Sequence, residues 1–187
     1  MLTTETKPSS WIVRFAPLIP AGGEVLDLAC GYGRHARLLA GLGYAVEAVD
    51  RDAEALASLA GVPNVTPRQA DLENGPWPYY SRVFDGIVVS RYLWRPLFPS
   101  LFNCLAEGGI LIYETFMEGQ QLYGKPENPA HLLRPGELLE LVGKRFTVIA
   151  FEQGEVLGAD GAPQVIQRIC VRRGRPVRLP ECVPPAA

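Results

Sequence analysis

The sequence predicts one three-layer α/β sandwich on a mostly parallel sheet, and three observations carry the prediction. Short apolar runs alternate with segments of helical spacing from residue 24 to residue 142. A turn with two glycines joins the first apolar run to the first helical segment. Near the C-terminal end, two alternating runs flank a Gly/Asp-rich turn, as an antiparallel pair would.

Residues 24–30 (EVLDLAC) are mostly apolar and closed by Gly31, which suits a strand covered on both faces. Residues 33–42 (GRHARLLAGL) set Ala36, Leu39, Ala40 and Leu42 at helical spacing before the stop at Gly43. Residues 44–49 alternate as a second strand ending at Asp50, and 52–60 form a helix that Asp52 is placed to cap. Residues 65–70 make a weaker strand, set near an edge by Pro67, which has no ladder donor. Pro76 and Pro78 turn 73–82 into an irregular connector. Residues 84–90 (FDGIVVS) suit a central strand, and 96–106 a helix with proline in its first turn. Residues 109–116 follow as a strand and 135–142 as a helix; 146–151 and 164–171 are the antiparallel pair. The Arg/Pro-rich tail from Arg172 is expected to fray. Ahead of the first strand, Trp11, Phe15 and Leu18 share one face of a short helix.

With 187 residues and no internal repeat or linker, the chain reads as one domain: an N-terminal helical cover (1–21), a core (22–172) and a tail (173–187). Eighteen Lys+Arg against twenty Asp+Glu give a net charge of −2, so no global field favours nucleic acid. Four cysteines lie far apart without a C-x-x-C, and there are two histidines, so no metal site is expected. The first residues lack a signal-peptide pattern, and no apolar run approaches the ~18 residues of a membrane span. The expectation is a reduced, cytoplasmic protein of open oligomeric state.

The stretch VLDLACGYGRHA, 25–36, carries the chemistry. Glycines at 31 and 33 let a backbone approach a ligand, and a helix N-terminus follows. Gly31-x-Gly33-x-x-Ala36 matches the dinucleotide fingerprint, with Asp50 nineteen residues on as its ribose acid. Read from Asp27, the same stretch is D-L-A-C-G-Y-G and resembles the first motif, D/E-x-G-x-G-x-G, of the class I S-adenosylmethionine-dependent methyltransferases. Asp50 at the second strand end, Asp71 after the third strand and FDGIVVS at the fourth follow in that family's order. The resemblance spans about residues 22–172 and implies a Rossmann-like, seven-stranded sheet with an antiparallel C-terminal strand. Ala29 stands where the family commonly has its first glycine.

S-adenosyl-L-methionine is the implied cofactor, with S-adenosyl-L-homocysteine as product. By resemblance, Asp27, Ala29, Cys30, Gly31, Gly33 and Arg34 would surround it at the turn. Asp50 and Arg51, then Asp71 and Leu72, then Ser90 and Arg91 would hold it from the later strand ends. The N-terminal helix either packs on the sheet or forms a lid, with Trp11 over the donor and Arg14 on its carboxylate. A pyrophosphate tolerates a nearby carboxylate poorly, whereas a donor bearing a sulfonium and an ammonium accepts Asp27, so the combination favours the methyl donor. An NAD(P)-dependent oxidoreductase and a non-catalytic donor-binding module stay open as alternatives.

For the acceptor side, Ser90, Arg91 and Tyr92 fall at the mouth of the sheet's switch point, and Glu114 closes the fifth strand on the same rim. The loop 117–134 is long enough to be a lid, and its His131 has a side chain suited to a base near neutral pH. Glu114, His131 and Tyr92 are therefore the catalytic candidates. No N/D-P-P-Y/F follows the fourth strand, no Pro-Cys stands there, and no acidic cluster suggests metal-assisted chemistry. These absences leave a small-molecule acceptor as the expectation, with nucleic acid not favoured despite the basic tail.

Overall fold

A computed structural model describes residues 7–158 and 161–174. Seven strands form one sheet: β1 (Glu24–Leu28), β2 (Ala45–Asp50), β3 (Val65–Gln69), β4 (Phe84–Ser90), β5 (Leu105–Phe116), β6 (Phe146–Leu157) and β7 (Pro163–Arg173). Their order is β3-β2-β1-β4-β5-β7-β6. The pairs from β3 through β5 are parallel, and β7 runs antiparallel between β5 and β6. The chain steps outward from β1 to β3 and then crosses back to β4. That reversal opens a crevice at the carboxyl ends of β1 and β4.

Alternation within the strands explains the layers. Val25 packs in one cluster with Trp11, Phe15, Ala36 and Leu39, from α1 (Ser10–Phe15) and α2 (Arg34–Gly41). Leu56 of α3 (Ala53–Ala57) joins the same cluster. Leu26 and Leu28 point the other way, to Phe98 and Leu101 of α4 (Phe98–Asn103) and Leu138 of α5 (Glu137–Val142). Burying such side chains on both faces stabilises each by roughly 1.5–3 kcal/mol relative to exposure. Asp52 caps α3 as expected, accepting from the Glu54 and Ala55 N–H groups. The strand with Pro67 is an edge, pairing only with β2.

Four expectations about element bounds need correction. The helix expected over 96–106 is a 3-10 turn (Arg95–Leu97) followed by the short α4. β5 begins at Leu105 instead of 109, because Leu105 pairs with Phe84 before a bulge shifts the ladder to Gly86–Ile110. The hairpin strands are longer than 146–151 and 164–171. Residues 152–157 (EQGEVL) open with four residues free of apolar alternation and pair only with β7 at the sheet's edge, so alternation does not report them. The tail does not fray from Arg172, since Arg172 and Arg173 belong to β7; residues from 175 lie outside the described residues. No helix among the described residues is long and apolar enough to cross a membrane.

The N-terminal helix packs on the sheet. Trp11 is 2% exposed, meets Phe15 edge-on at 4.6 Å and donates its indole N–H to the Ile169 carbonyl at 3.4 Å. The expectation of Trp11 over the donor is therefore corrected: burial of its large apolar ring fixes it in the core.

Candidate functional site

The turn after β1 is held by backbone geometry. Ala29, Gly31 and Gly33 have φ of 55°, 52° and 74°. The Cys30 N–H donates to the Val49 carbonyl at 3.0 Å, and the Gly33 N–H to the Cys30 carbonyl at 3.0 Å. Asp50 ties the ends of β1 and β2, accepting from the Gly31 N–H at 2.8 Å and the Asp52 N–H at 3.0 Å. The two glycines serve different ends. A Cβ at Gly33 would run into the Leu59 side chain, so this glycine permits packing; a Cβ at Gly31 would meet nothing within 4 Å. The outer side of the turn at Gly31 is open to a ligand.

Asp27 enters the turn on β1 and is 1% exposed. Burial pushes its carboxyl up to about 7, opposed by the Ala36 N–H bonded to it and by the Arg34 charge. Its Oδ2 is buried without a hydrogen-bond partner. Beside the turn lies a cavity of about 190 Å³ lined by Ala29, Asp50, Arg51, Asp71, Leu72 and Tyr92, among others. Asp71 is held low by hydrogen bonds from the Asn74 amide and the Glu73 and Asn74 N–H groups. The Tyr92 hydroxyl is also buried without a partner, and burial raises its pKa further than the neighbouring Glu73 and Asp71 carboxylates do. Among the described residues, Asp27 Oδ2 and Tyr92 Oη are the two unpartnered buried side-chain oxygens. Buried polar atoms in native proteins are normally satisfied, so both are suited to a ligand with hydroxyl, amine or cationic groups. An adenosine carrying an amino-acid tail fits that description.

A second cavity, of about 260 Å³, lies between the N-terminal segment, the ends of β4 and β5, and the β6–β7 hairpin. Arg34 reaches across it, donating to Ser90 Oγ at 3.2 Å and to the Lys7 carbonyl at 3.3 Å. Ser90 Oγ in turn donates to Glu114 Oε1 at 3.4 Å, and Glu114 is 9% exposed. The Ser9 N–H donates to His35 Nε2 at 3.1 Å, so the buried His35 anchors the N-terminal segment. Burial, then the charges of Arg34 and Arg91, hold that imidazole down to about 3, leaving it neutral and able to accept. Arg91 has φ of 55°; its N–H donates to the Glu114 carbonyl at 2.9 Å and its guanidinium to Gln164 Oε1 at 3.3 Å.

The expected site residues therefore divide. Asp27, Cys30, Gly31 and Gly33 form the turn; Ala29, Asp50, Arg51, Asp71 and Leu72 line or flank the first cavity. Arg34, Ser90, Arg91 and Glu114 gather at the second. Tyr92, a candidate for acceptor chemistry, lines the first cavity instead. Arg14 lines neither: it is 3.6 Å from Glu152, which holds it over the Phe15 ring. His131 lies exposed in a 3-10 turn (Pro129–His131) and also lines neither cavity. The loop 117–134 is tied down, because Met117 bridges Leu133 and the Arg95 guanidinium grips the Ala130 and Leu132 carbonyls and the buried Glu137. Lys7, His35, Gln164 and Arg168 are at the site without a local sequence signal, since distant segments bring them together.

Comparisons with known proteins agree with this geometry. Residues 3–154 match the model of a family described as a methyltransferase domain. Over 97 residues the chain is 39% identical to a protein-L-isoaspartate O-methyltransferase of Chlorobaculum tepidum, covering 48% of this chain and 43% of that one. The chain thus spans less than half the length of that relative. Its fold is similar to that of TehB from Haemophilus influenzae: TM-score 0.75 at 20% identity, over 89% of this chain and 63% of that one. It is also similar to the N-methyltransferase NodS from Bradyrhizobium japonicum in complex with S-adenosyl-L-homocysteine: TM-score 0.68 at 16% identity, over 88% and 84%. With the strand order, the open turn at Gly31 and the family match together, the chain belongs to the class I S-adenosylmethionine-dependent methyltransferases, whose cofactor is S-adenosylmethionine.

Proposed function

We propose that the protein transfers a methyl group from S-adenosylmethionine to a small-molecule acceptor in the cytoplasm. The observation that carries this reading is the pair of cavities at the carboxyl end of one sheet, one beside the glycine turn and one beside Glu114. Asp50, Asp71 and Tyr92 would hold the adenosine part of the donor, and Asp27 its cationic part. Arg34 would meet its carboxylate. When bound, the donor supplies a methyl carbon already activated by a sulfonium.

The protein's own task is then to orient an acceptor, exclude water and hold a proton. Orientation alone supplies several kcal/mol of such a barrier. Lys7–Ser10 and the hairpin form two walls of the second cavity, which stays partly open to solvent. Its ~260 Å³ is at the small end for ligand sites, which supports a small acceptor. Glu114 takes the proton of an acidic O–H or N–H acceptor, with Ser90 Oγ fixing its carboxylate. The free, buried thiols of Cys30, Cys104 and Cys170 support a reducing compartment.

A thermal-shift titration with S-adenosylhomocysteine, alongside NADH and NADPH, tests the reading. Ligand at ~100 times its dissociation constant adds about 2.7 kcal/mol to the native state. A shift with S-adenosylhomocysteine alone is expected; a shift with a nicotinamide nucleotide alone would overturn the reading. The relative named for isoaspartate in proteins offers a second acceptor class. Labelled methyl transfer to an isoaspartyl peptide would favour it over a small molecule.

A further inference from the structure

We propose that His35 is a positioning residue for the donor: it latches the strap 7–9 beside the amino-acid end of S-adenosylmethionine, and release of the product waits on that latch. The inference rests on the methyltransferase reading above and adds a residue that acts through the strap instead of touching a ligand. Two consecutive residues of one helix carry it. Arg34 and His35 open α2 directly after the glycine turn, and each holds one residue of the strap. The Arg34 guanidinium donates to the Lys7 carbonyl at 3.3 Å, and the Ser9 N–H donates to His35 Nε2 at 3.1 Å. Pro8 lies between the two bonds, where its ring fixes its own φ and restricts Lys7 to extended conformations.

Ser9 divides a fixed part of the chain from the strap. On its C-terminal side it caps α1: Ser9 Oγ accepts from the Trp11 N–H at 3.1 Å and its carbonyl from the Val13 N–H at 2.9 Å, while Trp11, Ile12 and Phe15 are buried in the core. On its N-terminal side, residues 7 and 8 belong to no helix or strand, and Lys7 is exposed. His35 is 3% exposed and lines neither cavity. Burying an imidazole costs free energy that an apolar residue would not, and the bond from Ser9 offsets that cost. Its neutral ring keeps the lone pair which that bond needs. The strap lines the second cavity together with Arg34, where the donor's carboxylate would lie, and Arg34 continues across to Ser90 Oγ at 3.2 Å. No strap residue lines the first cavity, where the adenosine part would lie, so the latch acts on one end of the donor.

The test uses the full chain and two probes, S-adenosylhomocysteine and 5′-methylthioadenosine, which keeps the adenosine and the sulfur without the amino-acid tail. Dissociation is followed by stopped-flow displacement, affinity by calorimetry and the Ser9 amide by hydrogen exchange. His35→Ala is expected to release S-adenosylhomocysteine about three- to tenfold faster, the worth of one hydrogen bond, and to leave 5′-methylthioadenosine affinity within about twofold. His35→Gln, whose side-chain carbonyl reaches about as far as Nε2, should restore slow release. Pro8→Gly leaves the core untouched and should speed release about two- to fivefold by loosening the strap, which keeps the test open if His35→Ala folds poorly. In the wild type, exchange at Ser9 should slow with S-adenosylhomocysteine and not with 5′-methylthioadenosine. The proposal fails if His35→Ala and Pro8→Gly both release product at the wild-type rate, if His35→Gln releases it as fast as His35→Ala, or if 5′-methylthioadenosine weakens in step. Failure of the wild type to bind S-adenosylhomocysteine at all is a separate result, and it would remove the methyltransferase reading on which the proposal stands.

Discussion

The cavity beside the glycine turn draws its polar groups from residues 29 to 92, each within a few positions of the carboxyl end of a parallel strand. The cavity beside Glu114 draws on residues 7 to 168, from an N-terminal segment, two strand ends and both arms of a hairpin. In the first, bonds within two or three residues do most of the positioning, Asp50 to Asp52 and Asp71 to Glu73 and Asn74, with one bond between adjacent strand ends, Asp50 to Gly31. In the second, long-range side-chain contacts do it: Arg34 to Ser90, Ser9 to His35, Arg91 to Gln164. A site made of local turns keeps its geometry as long as the strand ends persist. One made of distant contacts depends on how the periphery packs and can vary without disturbing the sheet.

Substitutions can break or sharpen that contrast. The largest effect is expected for Gly31→Val, which combines a β-branched residue at φ 52° with a side chain in the ligand's approach. It should cost about 1–3 kcal/mol of stability in chemical denaturation. It should also weaken S-adenosylhomocysteine more than about a hundredfold in calorimetry, since that factor corresponds to only ~2.7 kcal/mol.

Asp27 comes next, through pH. Its carboxyl titrates near 7 in the folded protein against an ordinary 3.8, so the folded state holds the proton more tightly. Its contribution is unpenalised below about 4, and the ligand-free protein loses stability as pH rises toward 7, by an order of about 2–4 kcal/mol. Asp27→Asn should flatten that profile in melts taken across the range. Donor affinity should rise with pH in the wild type as the carboxylate ionises, and lose that rise in the variant.

Arg95→Ala probes the peripheral half. It removes the nearer cation from the buried Glu137, which keeps only the Arg134 N–H and guanidinium, and frees the Ala130 and Leu132 carbonyls, costing about 2 kcal/mol after allowance for the exposed part of the arginine. If the two halves are as independent as their construction implies, S-adenosylhomocysteine affinity stays within about twofold, since 0.4 kcal/mol is the most that transmits. Tyr92→Phe removes an unpartnered buried hydroxyl, so the free protein should lose no stability; donor affinity should fall by about fivefold, the worth of one hydrogen bond. The smallest effect belongs to Ala29→Gly, which relieves φ 55° and should raise stability by up to about 1 kcal/mol in the same denaturation assay.

Legibility followed the same division. Asp27, Gly31, Asp50 and Asp71 can be read from the sequence because each is set by a strand end and the turn that follows it. Tyr92 has the right neighbourhood in sequence but sits in the other cavity, since its half-buried side chain lies beside the third-strand end while Arg91 turns away. Arg14 and His131 carry suitable chemistry in suitable segments. Only packing assigns the first to Glu152 and the second to an exposed turn of a loop clamped by Arg95.

The sequence by itself determined the α/β alternation, the parallel core, the turn and the acids that close β1, β2 and β3, because backbone sterics and burial period act over a few residues. Tertiary structure alone decided the bulge that starts β5 early, the full length of the hairpin and the cavity that the hairpin helps to line. Those features come from pairing and charge placement between segments as far apart as Lys7 and Arg168, and no local rule of propensity or spacing records which distant partners will meet.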